Sequence, residues 1–161
     1  MSLEAAYSAV GPKIVGYLVA TGTDEATARD LLHDAVLRVA RRGDGREGDD
    51  LPALLFATAR NLRANRVRDD SRLDFVGEVR DTGLQAFDRQ SSDAEYLRRR
   101  IAEALRRLPE ALRETYVLYQ IGERSVREVA ETTGASEGLV KVRLHRAKKA
   151  LRTSLADWKE K

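Results

Sequence analysis

Cysteine is absent from the 161-residue chain, which excludes disulfides and thiolate zinc sites and fits a reducing cytosol. Histidine is nearly absent, since His33 and His145 each stand alone on a basic or mixed stretch. There is no H-E-x-x-H, no glycine-rich phosphate loop and no cluster of ligating side chains. No metal, no cofactor and no enzymatic activity are therefore expected. No apolar run reaches the roughly 20 residues of a membrane span. The opening MSLEAAYSAV lacks the basic start and apolar segment of a secretory signal. A cytoplasmic protein without membrane insertion is expected. Proline is confined to Pro12, Pro52 and Pro109, so few helices are interrupted.

What remains favours helices. Ala, Leu, Arg and Glu dominate, and a hydrophobic content of 42% supports a core, which points to an all-α protein. The net charge of +3 is small, but its distribution is uneven. Residues 94–161 carry sixteen Lys and Arg against ten Asp and Glu, whereas residues 1–70 carry ten against eleven. The intervening stretch adds a small negative balance. Positive charge gathered in the C-terminal third suits a nucleic-acid-binding module.

That third contains SVREVAETTGASEGLVKVRLHRAKKAL, from Ser125 to Leu151. Ser125 and Glu128 form an S-x-x-E capping box, and Val126, Val129 and Ala130 give the helix behind it an apolar face. Gly134 can adopt the positive φ that ends a helix, and Ser136 can cap the next one. In that second helix Val140, Leu144, Ala147 and Leu151 make one stripe. Lys141, Arg143, His145, Arg146, Lys148, Lys149 and Arg152 occupy the remaining surface. Two helices joined by a glycine turn, the second one basic, form a helix-turn-helix suited to a DNA major groove.

Upstream, the spacing predicts a helix over residues 3–20, with Tyr7, Val10, Ile14, Tyr17 and Leu18 near a 3.6 period and a break at TGTD. Thr23 is the expected N-cap of a second helix that buries Leu31, Leu32, Ala35, Val36 and Val39. Asp30, His33, Asp34 and Arg38 lie away from this stripe. The glycine-rich, charged stretch 41–50 reads as a mobile loop. Asp50 and Pro52 open a third helix whose buried stripe is Leu51, Leu54, Leu55, Thr58, Leu62 and Val67. Its later half is basic. Residues 71–92 read as a linker with a short helical turn at Leu84–Phe87. A second S-x-x-E box, Ser92 and Glu95, begins a helix carrying Tyr96, Leu97, Ile101, Ala104, Leu105 and Leu108. Pro109 starts another that buries Leu112, Tyr116, Val117 and Tyr119 or Gln120, and Gly122 closes it. Three units result: a helical domain over 1–70, a linker over 71–92 and a helix-turn-helix domain over 93–161.

This order of motifs resembles the group IV, or extracytoplasmic-function, sigma factors of bacterial RNA polymerase. ARDLLHDAVLRVARR is similar to region 2.2 of that family, LLFATARNLRANRVR to regions 2.3 and 2.4, and the run from ALRRLPEALR to VKVRLHRAKKALR to region 4. The A-R-N helix, a linker and L-P…V-K-x-R-L-x-R-A in that order carry the likeness. The resemblance implies two small helical domains, region 2-like and region 4-like, that bind core polymerase and recognise the −10 and −35 promoter elements.

Within it, Asp30, His33, Asp34 and Arg38 are expected to meet the polymerase β′ clamp helices, and the Leu112, Tyr116, Tyr119 neighbourhood the β flap. The 41–50 loop with Arg60, Asn61, Arg63, Arg66 and Arg68 is expected to hold the downstream element as unpaired DNA, which needs stacking or a shaped pocket and cations for the phosphates. Lys141, Arg143 and Arg146 are expected at base edges of the upstream element, with His145 beside them. Arg124, Arg127, Lys148 and Lys149 are expected on phosphates, as are Ser136 and the amide of Glu137 at a helix N-terminus. Many such factors are held inactive by an anti-sigma protein, often wedged between the two modules.

Several positions depart from the family pattern. Leu54, Val36 and Ala40 stand where aromatics are common, His33 where Gln is, Arg29 where an acid is, Asn65 where Asp is, and Leu139 where Thr is. Fewer aromatics remove stacking platforms. A sigma-like helix-turn-helix regulator that does not itself melt promoters therefore stays open as the alternative.

Overall fold

The computed structural model describes residues 2–42, 50–73 and 92–159, with side chains over 2–42, 50–68 and 93–156. Within them lie seven helices and no strand: α1 (Leu3–Ala20), α2 (Glu25–Arg41), α3 (Leu51–Leu73), α4 (Ser92–Arg107), α5 (Glu110–Gln120), α6 (Val126–Thr133) and α7 (Glu137–Lys159). The loop over 43–49, the stretch 74–91 with its expected turn at Leu84–Phe87, and the Ser92 side chain of the second capping box lie outside the described residues.

Local chemistry sets the helix ends. α1 stops where the Thr21 hydroxyl donates to the carbonyls of Tyr17 (2.8 Å) and Leu18 (3.1 Å), just before Gly22 at φ 112°. The cap of α2 is Asp24, not the expected Thr23. Asp24 has extended backbone angles, and its Oδ2 accepts from the Thr27 N–H at 3.0 Å, while the Thr23 N–H already donates to the Leu18 carbonyl. A carboxylate is also the better partner for the positive end of a helix. The hydrogen bonds from Thr27 hold the Asp24 carboxyl below its usual range. Asp50 caps α3 as expected, accepting from the Ala53 N–H at 3.1 Å. The helix then continues through Leu73, three residues into the stretch read as linker.

α1, α2 and α3 pack on one another, and α7 gathers α4, α5 and α6. The stripes of α2 and α7 are buried as the periodicity predicts, apart from a half-buried Val36. Four other stripes differ. Tyr7 and Val67 are exposed, whereas Phe56, outside the expected α3 stripe, is completely buried. In α5 the fully buried residues are Thr115, Val117 and Leu118, with Leu112, Tyr116 and Tyr119 only half-buried. In α4, Ala104 and Leu105 reach the core, as does Leu108 just past its end, while Tyr96, Leu97 and Ile101 stay exposed.

Phe56 owes its burial to contact between the two helical groups, which share one core. α3 packs against α6, and α1 against α5. The turn after α5 passes close under the Phe56 ring: a Cβ at Gly122 would lie 2.6 Å from the Leu118 carbonyl oxygen and 3.3 Å from that ring. Glycine is required there by space. Tyr17 also meets Phe56, at a ring-centroid distance of 6.4 Å and tilted by 57°. Such tilted pairs favour the aromatic quadrupole and add to area burial.

Candidate nucleic-acid interface

The helix-turn-helix is held by three local devices. The Ser125 hydroxyl accepts from the Glu128 N–H, and the Glu128 carboxylate accepts from the Ser125 N–H, both at 3.1 Å, completing the capping box. Gly134, at φ 74°, takes the left-handed conformation that ends α6, and its N–H donates to the Ala130 carbonyl. Ser136 then caps α7, its Oγ accepting from the Leu139 N–H at 3.1 Å. Val129 and Ala130 of α6 are buried with Val140, Leu144, Ala147 and Leu151 of α7, which fixes the two helices in register.

That register decides which cations face solvent. Glu137, Lys141, His145, Arg146 and Lys149 are exposed on α7. Leu139 and Val142 are exposed among them. On α6, Arg127 is exposed and paired with Glu131 at 3.3 Å. Two expected members of this group lie elsewhere. Lys148 is half-buried with its Nζ over the Tyr119 ring, 5.3 Å from the centroid. Arg143 is half-buried and turns into a cleft towards α3.

Arg124 requires a correction. Expected on a phosphate, it is only 7% exposed, its guanidinium lies 4.9 Å from the Phe56 ring centroid, and it pairs with Glu128. Its charge serves a cation–π contact between the two helical groups and is not presented to a ligand. In the sequence it stands beside a basic helix, and only the path of the turn at Gly122 carries it inwards.

The expected α3 group divides in the same way. Asn61, Arg66 and Arg68 are exposed. Arg60 and Arg63 instead face the second helical group. The Arg60 Nε donates to Glu114 Oε1 at 3.0 Å and its Nη1 to the Thr132 carbonyl at 3.4 Å. The Arg63 Nη2 donates to the Thr21 carbonyl at 2.8 Å, and its Nη1 lies 3.9 Å from Glu114 Oε2. The Tyr17 hydroxyl completes the set, donating to Glu114 Oε2 at 2.8 Å. Burial pushes the Tyr17 phenol far above its ordinary pKa, and the Glu114 charge reinforces the effect. Burial works against the Arg60 charge, but the Glu114 hydrogen bond and charge outweigh it and hold the guanidinium above its usual range. Sequence reasoning missed Glu114, Tyr17 as a polar partner, and Phe56. Glu114 shares a short helix with Glu110 and Arg113, and nothing in that local pattern signals a partner 54 residues away.

On α2 the structure brings Asp30, His33, Asp34 and Arg38 together on the exposed face, opposite buried Ala28, Leu31, Leu32, Ala35 and Val39. Leu37 stands among them at 50% exposure. It too was missed, although its position outside the apolar stripe could have revealed it. Among the described residues no group of His, Asp and Glu is arranged to hold a metal ion, and no helix is long and apolar enough to cross a membrane.

Residues 98–151 match the family model described as "Sigma-70, region 4". Among solved structures, the sigma factor RpoE, co-crystallised with the anti-sigma factor NepR from Bartonella quintana, is similar with a TM-score of 0.71 and 24% identity. That alignment covers 95% of this chain and 96% of RpoE's. An RsbN–BldN complex aligns at 24% identity over 94% of this chain and 90% of its own, but with a TM-score of 0.35 it adds nothing to the fold assignment. No curated protein matches the chain significantly.

Proposed function

We propose, from the match of residues 98–151 to the sigma-70 region 4 family model and from the sigma-factor fold of the whole chain, that the protein is a sigma factor of the extracytoplasmic-function type. It binds core RNA polymerase and directs promoter-specific initiation, a role of binding and specificity without a reaction of its own. The observation that carries the reading is the exposed face of α7, where Lys141, His145, Arg146 and Lys149 project from a capped helix inside the family-matched segment. Lys141 and Arg146 suit guanine O6 and N7 of the upstream element, and Leu139 and Val142 suit thymine methyls. Arg127 and Lys149 suit phosphates.

The other surfaces extend the proposal. Residues 1–70 form the region 2-like domain and 93–161 the region 4-like domain. The α2 face with Asp30, His33, Asp34, Leu37 and Arg38 meets the polymerase β′ subunit. The basic half of α3 holds downstream-element DNA. The RpoE–NepR co-crystal supports an anti-sigma partner for this chain as well. The site of action is the cytoplasm, where polymerase works.

Mixing the purified chain with bacterial core polymerase tests this. A stable complex that yields promoter-specific transcripts is expected, and no association would refute the reading. The second reading, a regulator that does not melt promoters, is favoured by Val36, Ala40 and Leu54 at positions where the family commonly has aromatics. Association without transcripts would select it.

A further inference from the structure

The Glu114 carboxylate belongs to α5, yet the side chains that hold it, Tyr17, Arg60 and Arg63, all come from α1 and α3. It is 13% exposed, and Arg63 beside it 12%. It sits at the wall of an approximately 550 Å³ cleft lined also by Arg143, Glu110 and Thr133. Two guanidiniums and a phenol thus converge on one anion supplied by the other helical group. The same two guanidiniums belong to the basic half of α3 proposed to hold downstream-element DNA, so this inference rests on that reading.

We propose that Glu114 is an intramolecular latch: its carboxylate takes the place of a DNA phosphate against Arg60 and Arg63, closing the two helical groups on each other and masking the downstream-element surface until a partner opens them. A carboxylate and a phosphate offer an arginine the same chemistry, two anionic oxygens for charge-assisted hydrogen bonds. Binding DNA with Arg60 and Arg63 requires them to exchange one for the other. Three further contacts hold the same seam: Arg124 over Phe56, Lys13 with Glu123 at 2.6 Å, and Arg60 on the Thr132 carbonyl. The Lys13–Glu123 pair is well exposed and weak in salt. Glu114 is the buried centre. Removing its charge takes away the one carboxylate bonded to both Arg60 and Arg63 and leaves them only the unbonded Glu110 in the same cleft, which favours separation of the groups.

The absence of cysteine makes the test direct, because Ser8→Cys with Thr153→Cys supplies the only two attachment points for spin labels. In the otherwise unchanged full chain a single narrow interspin distance is expected. Glu114→Gln should lengthen and broaden it. Tyr17→Phe keeps the ring in the core, removes only the phenolic donor, and should act in the same direction more weakly. Circular dichroism should show helix content retained in both. A fluorescent single-stranded oligonucleotide without polymerase should bind Glu114→Gln at least fivefold more tightly. The slope of log affinity against log salt should steepen by about 1.4 for two freed arginines.

Unchanged distances in both variants would overturn the latch. Longer distances with unchanged DNA affinity and slope would overturn the masking and fault the assignment of Arg60 and Arg63. The broader sigma reading is judged apart from both, by whether the unaltered chain joins core polymerase.

Discussion

α3 and α7 are both amphipathic, both 23 residues long and both rich in arginine or lysine, yet the structure uses their charge in opposite ways. On α7 Lys141, Arg146 and Lys149 point to solvent from a helix anchored along its other side by Val140, Leu144, Ala147 and Leu151. On α3 Arg60 and Arg63 turn inwards to one carboxylate of α5. The difference lies in what the opposite group offers. Among the described residues the exposed cations of α7 meet no acid from α1–α3, whereas α3 lies against α6 with Glu114 at the seam. A run of arginines is therefore a display of charge only where no acid is brought to meet it.

The largest effect on this contrast should come from Phe56→Ala. The ring is completely buried, touches Tyr17, carries Arg124 and closes over Gly122. Losing it should cost about 3–5 kcal/mol in denaturant unfolding of α1–α3. The helix-turn-helix, whose stripe does not include Phe56, should retain the duplex DNA binding proposed for it. Loss of DNA binding in step with α1–α3 would show that the two groups do not fold independently.

Charge reversal separates the two helices next. Lys141→Glu combined with Arg146→Glu should weaken binding to duplex upstream-element DNA by roughly 100-fold, since each side chain that no longer reaches a base edge costs about 1–3 kcal/mol. Association with core polymerase should be unaffected, because the α2 face is untouched. Unchanged duplex binding in a gel-shift titration would mean that another face of α7 meets DNA.

The smallest effect concerns pH. The Tyr17 phenol is held in its neutral form by burial and by Glu114, well above its ordinary 10.0. Below that value folded and unfolded chains both keep the proton, so the contribution to stability is complete. As pH rises past 10 the unfolded chain releases the proton and the folded chain retains it, so stability falls. The loss should be about 0.8 kcal/mol at pH 10.5, measured as the difference between wild type and Tyr17→Phe in urea unfolding at neutral and alkaline pH. An equal alkaline loss in both would remove Tyr17 as the cause. No such dependence is expected for the exposed cations of α7, which have no phenol among their hydrogen-bond partners.

How much was legible in the residues follows the range of the interactions. The Ser125–Glu128 box, the Gly134 turn, the Ser136 cap and the α7 stripe each depend on neighbours within a few positions, and each reads directly from the chain. The expected α2 cap is off by one residue because Thr23 and Asp24 are both good caps, and only the backbone path out of α1 chooses between them. Phe56 lies outside the predicted stripe because its covering surface comes from the Gly122 turn, far along the chain. Arg124 reads as exposed because its neighbours Arg127, Lys141 and Arg143 are basic, and burial of an arginine under an aromatic ring leaves no periodic trace.

Amphipathic helices, their order in two modules and a basic helix-turn-helix all follow from the order of residues, because periodicity and capping are local and repeat every turn. Which arginines remain available to DNA is a matter of packing. Arg60, Arg63 and Arg124 are chemically equal to Arg127 and Arg146, and only the docking of α3 and α1 on α5 and α6 brings Glu114 and Phe56 to claim them.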